Sequence, residues 1–519
     1  MKRLLALFLV ILLCFLSVAC NNNSSDVTDT AIPSATKTES SVSIDGHFDV
    51  DRDKICDDCG ISVVTTFDFY AINDLHGKFV NTDTTVGLEG LTTYLKTTSA
   101  TDDNPIFLSS GDMWQGGAQS NLTKGAIVTE WMNSIGFSSM TLGNHEFDWG
   151  EEPIVANAEL AEFPFLAINI YEKSTNKPVD YCKSSVVVEC NGLQVGIIGA
   201  IGDCYSSISS DKVQDIYFKT DNELTSLVKA EAQKLRSEGV DIVVYSLHDG
   251  YSKAPTTQII NDSALSSYYD ISLSDGYVDI VFEGHSHVGY TLRDGKNVYH
   301  LQNSGDNGGI SHAEIEYNFA NRDYEVTKAE HVAAAVYRNL DSDPVIAELL
   351  EKYKGQIAKA DEIIGTNGVY RDKNFLLSTV AKLYFEAGQE KWGDKYNIVL
   401  GGGFMTLRSP GYLHTGSIKY SDLQSILPFD NELVLCSVKG KDMLNKFINT
   451  SNSNYFIYCG EYGNSIKNSV DVNATYYIVT DTYSSSYSYN RLTVIEKYDA
   501  DTFARDLLAE YIKAGNLAG

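Results

Sequence analysis

Positive charge is scarce in this chain: 40 Lys and Arg face 69 Asp and Glu, a formal charge of −29. Such a field repels the phosphates of a nucleic-acid polymer, so no nucleic-acid polymer is expected as a partner. A small anionic substrate remains admissible if a local cation receives it. Cysteine forms no regular framework. Nine are scattered at positions 14, 20, 56, 59, 182, 190, 204, 436 and 459, which excludes an obligatory disulfide scaffold and reads mostly as small buried apolar side chains. Beyond the first twenty residues no apolar run is long enough to span a bilayer. The stretch "DGHFDVDRDKICDDCG", residues 45–60, starts like a calcium loop with alternating Asp49, Asp51 and Asp53. Lys54 stands where that loop requires glycine, however, and Gly60 where it requires a bidentate glutamate, so it is not an EF-hand. His47, Cys56 and Cys59 could hold a transition metal there; a Cys56–Cys59 disulfide and a solvated acidic stalk are the competing readings.

What is present fills more than one core. At 519 residues, 43% apolar and 11% aromatic, the chain predicts two globular bodies, because single cores stop growing near ~250–300 residues. The opening "MKRLLALFLVILLCFLSVAC" has a basic start and a long apolar core and reads as an export signal. It resembles a bacterial lipoprotein signal, which implies Cys20 as the lipidated first mature residue and a lipid-anchored protein on the extracytoplasmic face of the cell membrane. Residues 21–43 are polar and aperiodic and suit a tether of ~25–30 Å.

From residue 67 one pattern recurs: an apolar run suited to a buried strand, then residues that bind metals. "FDFYAI" leads into Asn73-Asp74-Leu75-His76-Gly77, "PIFLSS" into Gly111-Asp112, "FSSMTL" into Gly143-Asn144-His145, "VDIVVYSL" into His248, and "VDIVF" into Glu283-Gly284-His285-Ser286-His287. Between them lie amphipathic segments such as residues 221–239, with Leu224, Leu227, Val228 and Leu235 on one helical face. This alternation predicts an α/β layer architecture, in which ligands gather outside the carboxyl ends of the strands. Singly, each motif reads as an ordinary loop pair or cap. Together, five strand ends delivering Asp, Asn and His predict a binuclear metal site, with donors suited to Zn, Mn, Fe or Co rather than calcium. Two such ions ~3.5–4 Å apart acidify a water, align it on phosphorus and supply the positive potential that the acidic chain lacks.

The series Asp-x-His, Gly-Asp, Gly-Asn-His-Glu, His and Gly-His-x-His resembles the binuclear metallophosphatases, specifically the 5'-nucleotidase family, over roughly residues 67–519. The resemblance implies a sandwich of β-sheets flanked by helices and a smaller α/β substrate-recognition domain. It implies one metal on Asp74, His76, Asp112 and His287, the other on Asp112, Asn144, His248 and His285, with Asp112 bridging. It also implies His145 as the group that assists the reacting phosphate and Asp148 as its orienting partner. Glu146 reads as a supporting carboxylate, and His300, His312, His331 and His414 as structural or exposed.

On the same resemblance the chain divides into a signal (1–20), a tether with the Asp/Cys-rich stretch (21–66), a metallophosphatase domain (67–340), a connecting helix (341–360) and a substrate-binding domain (361–519). The last departs from the family: Leu400 precedes Gly401-Gly402-Gly403, Met405 occupies the place of an arginine, and "SSSYSYN" replaces a glycine-rich turn with a ribose-binding aspartate. Arg408 is the replacement arginine within reach. Phe429 and Tyr483 are expected to clamp a base, with Asn431 and Arg371 as further substrate contacts; Phe429, in an apolar run, also fits a core position. The activity implied is extracellular, metal-dependent hydrolysis of nucleotides to nucleoside and phosphate. Cyclic-nucleotide or nucleotide-sugar hydrolysis, and non-catalytic binding of metal or nucleoside, are the alternatives.

Overall fold

The computed structural model describes residues 46–82, 85–102, 104–251, 277–294, 296–404, 407–448, 457–460, 468–486, 492–499 and 502–518. These all belong to one compact unit. Cys20, Met405 and residues 487–490 of "SSSYSYN" lie outside the described residues.

The apolar runs become parallel strands. Val64–Ile72, Ile106–Ser109, Ser139–Thr141 and Phe165–Leu166 lie side by side in parallel, and the antiparallel strands Gly309–Asn318 and Asp323–Ala333 extend the sheet beyond Val64–Ile72. A second sheet has the same plan, with parallel Leu193–Ile201, Ile242–His248, Ile280–Glu283 and Tyr299–Gln302 between antiparallel edge strands Ser185–Cys190 and Tyr290–Arg293. The two sheets pack face to face through Phe67, Phe69, Leu108, Val195, Ile197, Val244 and Phe282, all buried. Helices cover the outer faces; Asp221–Ser237 lays Leu224, Val228 and Leu235 on the second sheet. Strands buried on both faces must be apolar throughout, which is why these runs do not alternate.

A third sheet of five strands, ordered Ile457–Gly460, Ile398–Gly403, Thr475–Asp481, Leu433–Lys439 and Thr493–Lys497, forms the carboxy-terminal body. The helix Lys373–Trp392 packs on one of its faces through Leu377, Val380 and Tyr384. Between the bodies the single connecting helix expected over 341–360 is instead three pieces: Pro344–Lys352, Lys354–Ile357 and a 3-10 turn Ala358–Asp361. The Asp343 side chain caps the first piece by accepting from the Val345 amide at 3.0 Å, ahead of Pro344 in the first turn. Tyr353 ends it by leaving helical geometry (ψ 4°) and burying its ring, with its hydroxyl 3.0 Å from Glu130.

Candidate metal centre

Asp74, His76, Asp112, Asn144, His248, His285 and His287 all follow or end a parallel strand of one of the two packed sheets, so their side chains meet at one end of the sandwich. Five of them, Asp74, His76, Asp112, His285 and His287, adopt φ between 50° and 69°. A left-handed backbone costs a non-glycine residue about 1–3 kcal/mol and persists where surrounding structure enforces it, as at functional sites. The glycines beside them leave room: a Cβ on Gly143 would lie 2.3 Å from Asp112 Oδ1, and one on Gly111, itself at φ 93°, 2.6 Å from His248 Nδ1.

Hydrogen bonds to carbonyls decide which nitrogens point inward. His76 Nδ1 lies 2.8 Å from the Gln115 carbonyl and His248 Nδ1 2.6 Å from that of Ser110. A carbonyl only accepts, so in each neutral ring the proton sits on Nδ1 and the Nε2 lone pair faces the centre. There His76 Nε2 is 3.0 Å from His287 Nε2, while His248 Nε2 is 3.2 Å from Asn144 Oδ1 and 3.1 Å from Asp112 Oδ2. His285 Nδ1 lies 2.9 Å from the same Asn144 oxygen. Asp74 Oδ2 accepts from Asn73 at 2.6 Å and from the His285 amide at 2.8 Å, whereas its Oδ1 is buried with no hydrogen-bond partner. Lone pairs and carboxylate oxygens turned toward one another repel unless cations lie between them.

The residues therefore fit a pair of divalent ions. Asp74, His76 and His287 offer ligand atoms within 4.8 Å of one another, as do Asp74, Asp112 and His248. The imidazole, carboxylate and amide donors suit Zn, Mn, Fe or Co. Proton affinities report the same field. Burial opposes protonation of His248, but the charge of Asp112 overcomes it and pushes the ring up to about 10. Burial likewise opposes ionisation of Asp112, yet the imidazoles around it, His248 foremost, hold its carboxyl well below the usual range.

His145 stands beside this centre on a single turn, His145–Phe147. Its Nδ1 lies 2.8 Å from Asp148 Oδ2, and its Nε2 accepts from Arg408 Nη2 at 2.7 Å. Burial would lower its proton affinity, but Asp148 and Asp112 raise it above the ordinary value. Glu146 points away: its carboxylate accepts from the amides of Gly143, Asp112 and Met113 at 2.7, 2.9 and 2.8 Å and so binds two ligand loops together.

The carboxy-terminal body meets His145 with two side chains. Arg408 is one; the other is Phe429, whose ring is tilted 5.7 Å from the imidazole and lies 5.5 Å from the Arg408 guanidinium. Phe429 is half-buried rather than a core residue. Its turn is held from both sides: Asn121 Nδ2 donates to the Pro428 carbonyl at 3.1 Å, Lys124 pairs with Asp430 at 2.6 Å, and the buried Arg505 donates to the Phe429 carbonyl at 2.9 Å and pairs with Asp430. Asn431 follows on the same turn, half-buried. Tyr483 sits on the helix Thr482–Ser486, whose Ser486 hydroxyl is 3.2 Å from Ser209 of the two-sheet body. Arg371 is placed otherwise: its guanidinium covers Phe375 at 4.4 Å and donates to Asn367 at 3.4 Å, and its backbone pairs with Leu413.

Sequence reasoning missed several contributors. Asp306 sits 3.8 Å from His287 Nδ1 and 3.4 Å from Lys78; burial opposes protonation of the half-buried His287 ring, but Asp306 and Asp74 push it up to about 9. The Cys204 thiol donates to the His248 carbonyl at 2.9 Å, and its sulfur lies near ligand atoms of His248 and His285. Asn121, Lys124 and Arg505 carried no motif; only the burial of Arg505 marks it. His300 is buried between Glu283 and Asp294, and His312 pairs with Asp68 at 2.6 Å, both away from the centre.

With this geometry established, comparison with known proteins is informative. Residues 67–289 match the family Calcineurin-like phosphoesterase. An apyrase of Tabanus yao is 27% identical over 427 residues, covering 72% of each chain. A 5'-nucleotidase of Diplobatis ommata is 26% identical over 421 residues, covering 72% of this chain and 68% of the relative. Among solved structures, the 5'-nucleotidase precursor from Thermus thermophilus superposes with a TM-score of 0.64 at 17% identity, over 87% of this chain and 96% of that one. The fold is therefore an α/β metallophosphatase sandwich with a further α/β body.

Proposed function

We propose that this chain, a hydrolase of phosphoric monoesters built on the metallophosphatase fold, is a 5'-nucleotidase that releases inorganic phosphate from nucleotides outside the cytoplasm, tethered by a lipid on Cys20. The observation that carries this reading is the meeting of Arg408 and Phe429 at His145: a cation for a phosphate and an aromatic face for a base, both beside the ligand cluster. The names of the apyrase and 5'-nucleotidase relatives support it.

Asp74, His76, Asp112 and His287 would hold one ion and Asp112, Asn144, His248 and His285 the other. Bound there, two divalent ions supply Lewis acidity and an acidic water at neutral pH. The chain's own groups do the rest. Asp148 holds the His145 ring in one orientation through Nδ1 and favours its protonated form, so that Nε2 can carry a proton to the leaving oxygen. An anionic phosphoryl oxygen is a better acceptor than an imidazole nitrogen, so substrate displaces the Arg408–His145 contact and takes both partners. Phe429 offers a face that accepts any base, and Tyr483 would be its opposite wall.

A phosphate-release screen of nucleoside monophosphates, cyclic nucleotides, nucleotide sugars and a base-free ester, each with several divalent ions, tests the proposal. Nucleoside monophosphates should be hydrolysed best, with similar efficiency for purines and pyrimidines. A preference for cyclic nucleotides or nucleotide sugars would replace the assignment, and a metal-replete chain that releases no phosphate from any ester would be a binding protein. Fatty-acid labelling that persists in Cys20→Ser would refute the anchor.

A further inference from the structure

The segment before the first sheet strand takes no part in that chemistry, yet it is folded. The Gly60 amide donates to the Cys56 carbonyl at 2.8 Å, the Cys56 amide to Ile61 at 2.8 Å and the Val63 amide to Lys54 at 3.1 Å, while Ile55 pairs antiparallel with Ser62. Gly60, at φ 72°, closes this turn. His47 Nδ1 lies 3.4 Å from the sulfur of Cys56 and 3.4 Å from that of Cys59. The three ligand atoms are all within 4.8 Å of one another.

We propose that His47, Cys56 and Cys59 form a second, structural metal site that takes one zinc-class divalent ion and fastens residues 46–63 to the metallophosphatase body. Two sulfurs and an imidazole are the donors zinc prefers, unlike the sulfur-free set proposed for the catalytic pair. The backbone is arranged for thiolates: the Phe48 amide, aided by that of Cys59, faces the Cys56 sulfur, and the Ile61 amide faces that of Cys59.

The segment also needs such a staple. Among the described residues, its buried apolar side chains are Cys56 and Val63, packed against Ala320, far less than a segment of this size requires to stay folded. Polar contacts set its position without adding apolar burial. Asp49 accepts from Asn318 at 2.7 Å, Lys54 pairs with Glu316 at 2.6 Å, and the Phe319 amide donates to Val63 at 2.9 Å. Of these partners, Glu316 and Asn318 lie at the end of strand Gly309–Asn318, and Phe319 in the turn that follows it. A metal bond among His47, Cys56 and Cys59 would lock the hairpin on that turn, since binding energy at a structural zinc site is folding energy.

The test uses the full chain, purified reduced and loaded with Zn²⁺ or Co²⁺ alone. Elemental analysis of Cys56→Ser/Cys59→Ser should show about one ion per chain fewer than the parent, in line with one structural site, with phosphate release unchanged. The Co²⁺ form of the parent should show thiolate-to-cobalt charge transfer in the near ultraviolet, absent from the variant. Should the variant misfold, the parent decides alone: alkylation of Cys59 should be at least ~10-fold faster after chelation than with Zn²⁺ bound, because a coordinated thiolate is withheld from reagent. Equal ion counts without a charge-transfer band, equal alkylation rates, or a Cys56–Cys59 disulfide in the Zn²⁺-loaded chain would each overturn the proposal.

Discussion

The loops carrying Asp112 and Asn144 and the turn carrying Phe429 both border His145, but they are held differently. The ligand loops are bound at short range: Glu146 gathers the amides of Asp112, Met113 and Gly143, and Asp112 Oδ1 accepts the His145 amide at 2.8 Å. The Phe429 turn is suspended from side chains far along the chain, Asn121 and Lys124 on one side and Arg505 on the other. A metal tolerates little change in donor type or position, so its loops carry their own constraints. A recognition surface needs only a cation and an aromatic face at the right place, and many chain positions can deliver those.

That contrast can be broken, beginning with the largest effect. Asp112→Asn removes the charge at the proposed bridge and should abolish phosphate release, at least ~10⁴-fold, together with loss of bound metal measured by elemental analysis. His145→Ala should cost ~10²–10⁴-fold in kcat while both ions stay bound, as befits an acid–base partner beside the metals rather than on them. Equal metal loss in the two variants would erase the division between ligand and catalytic group.

The other side of the comparison predicts smaller and more selective losses. Arg408→Ala removes the charge-assisted contact proposed for the phosphate and should lower kcat/KM by ~10–100-fold for all esters alike, with metal content intact. Phe429→Ala should raise KM for nucleoside monophosphates about tenfold and leave a base-free ester nearly unchanged. If steady-state kinetics showed both substrates suffering equally in Phe429→Ala, the ring would be a packing residue for Arg408 and His145 and not a base platform.

Legibility differed in the same way. All seven proposed ligands were readable because each sits within five residues of an apolar run, and strand, turn and ligand form one local pattern. The Asp148 partner of His145 was readable for the same reason, three residues away. Arg408 could be named only as a neighbour of the missing family arginine, and its contact spans 263 residues. Asp306, Cys204 and Arg505 carried no local signal, since an aspartate, a cysteine or an arginine in a loop or helix is ordinary until its neighbours are known. The connecting segment was misread as one helix because apolar periodicity does not register that Tyr353 is better buried than helical.

The sequence by itself determined the donor chemistry: which atoms stand at the strand ends, that they suit borderline divalent cations, and that an α/β layer architecture carries them. It could do so because strand burial and turn conformation are local properties of a few residues. Tertiary structure alone decided that Arg408 reaches Nε2 of His145, that Arg505 and Lys124 fix the Phe429 turn beside it, and that Asp306 stands behind His287. Those contacts depend on how whole bodies pack, and packing is set by the summed burial of the hydrophobic clusters rather than by any short run of residues.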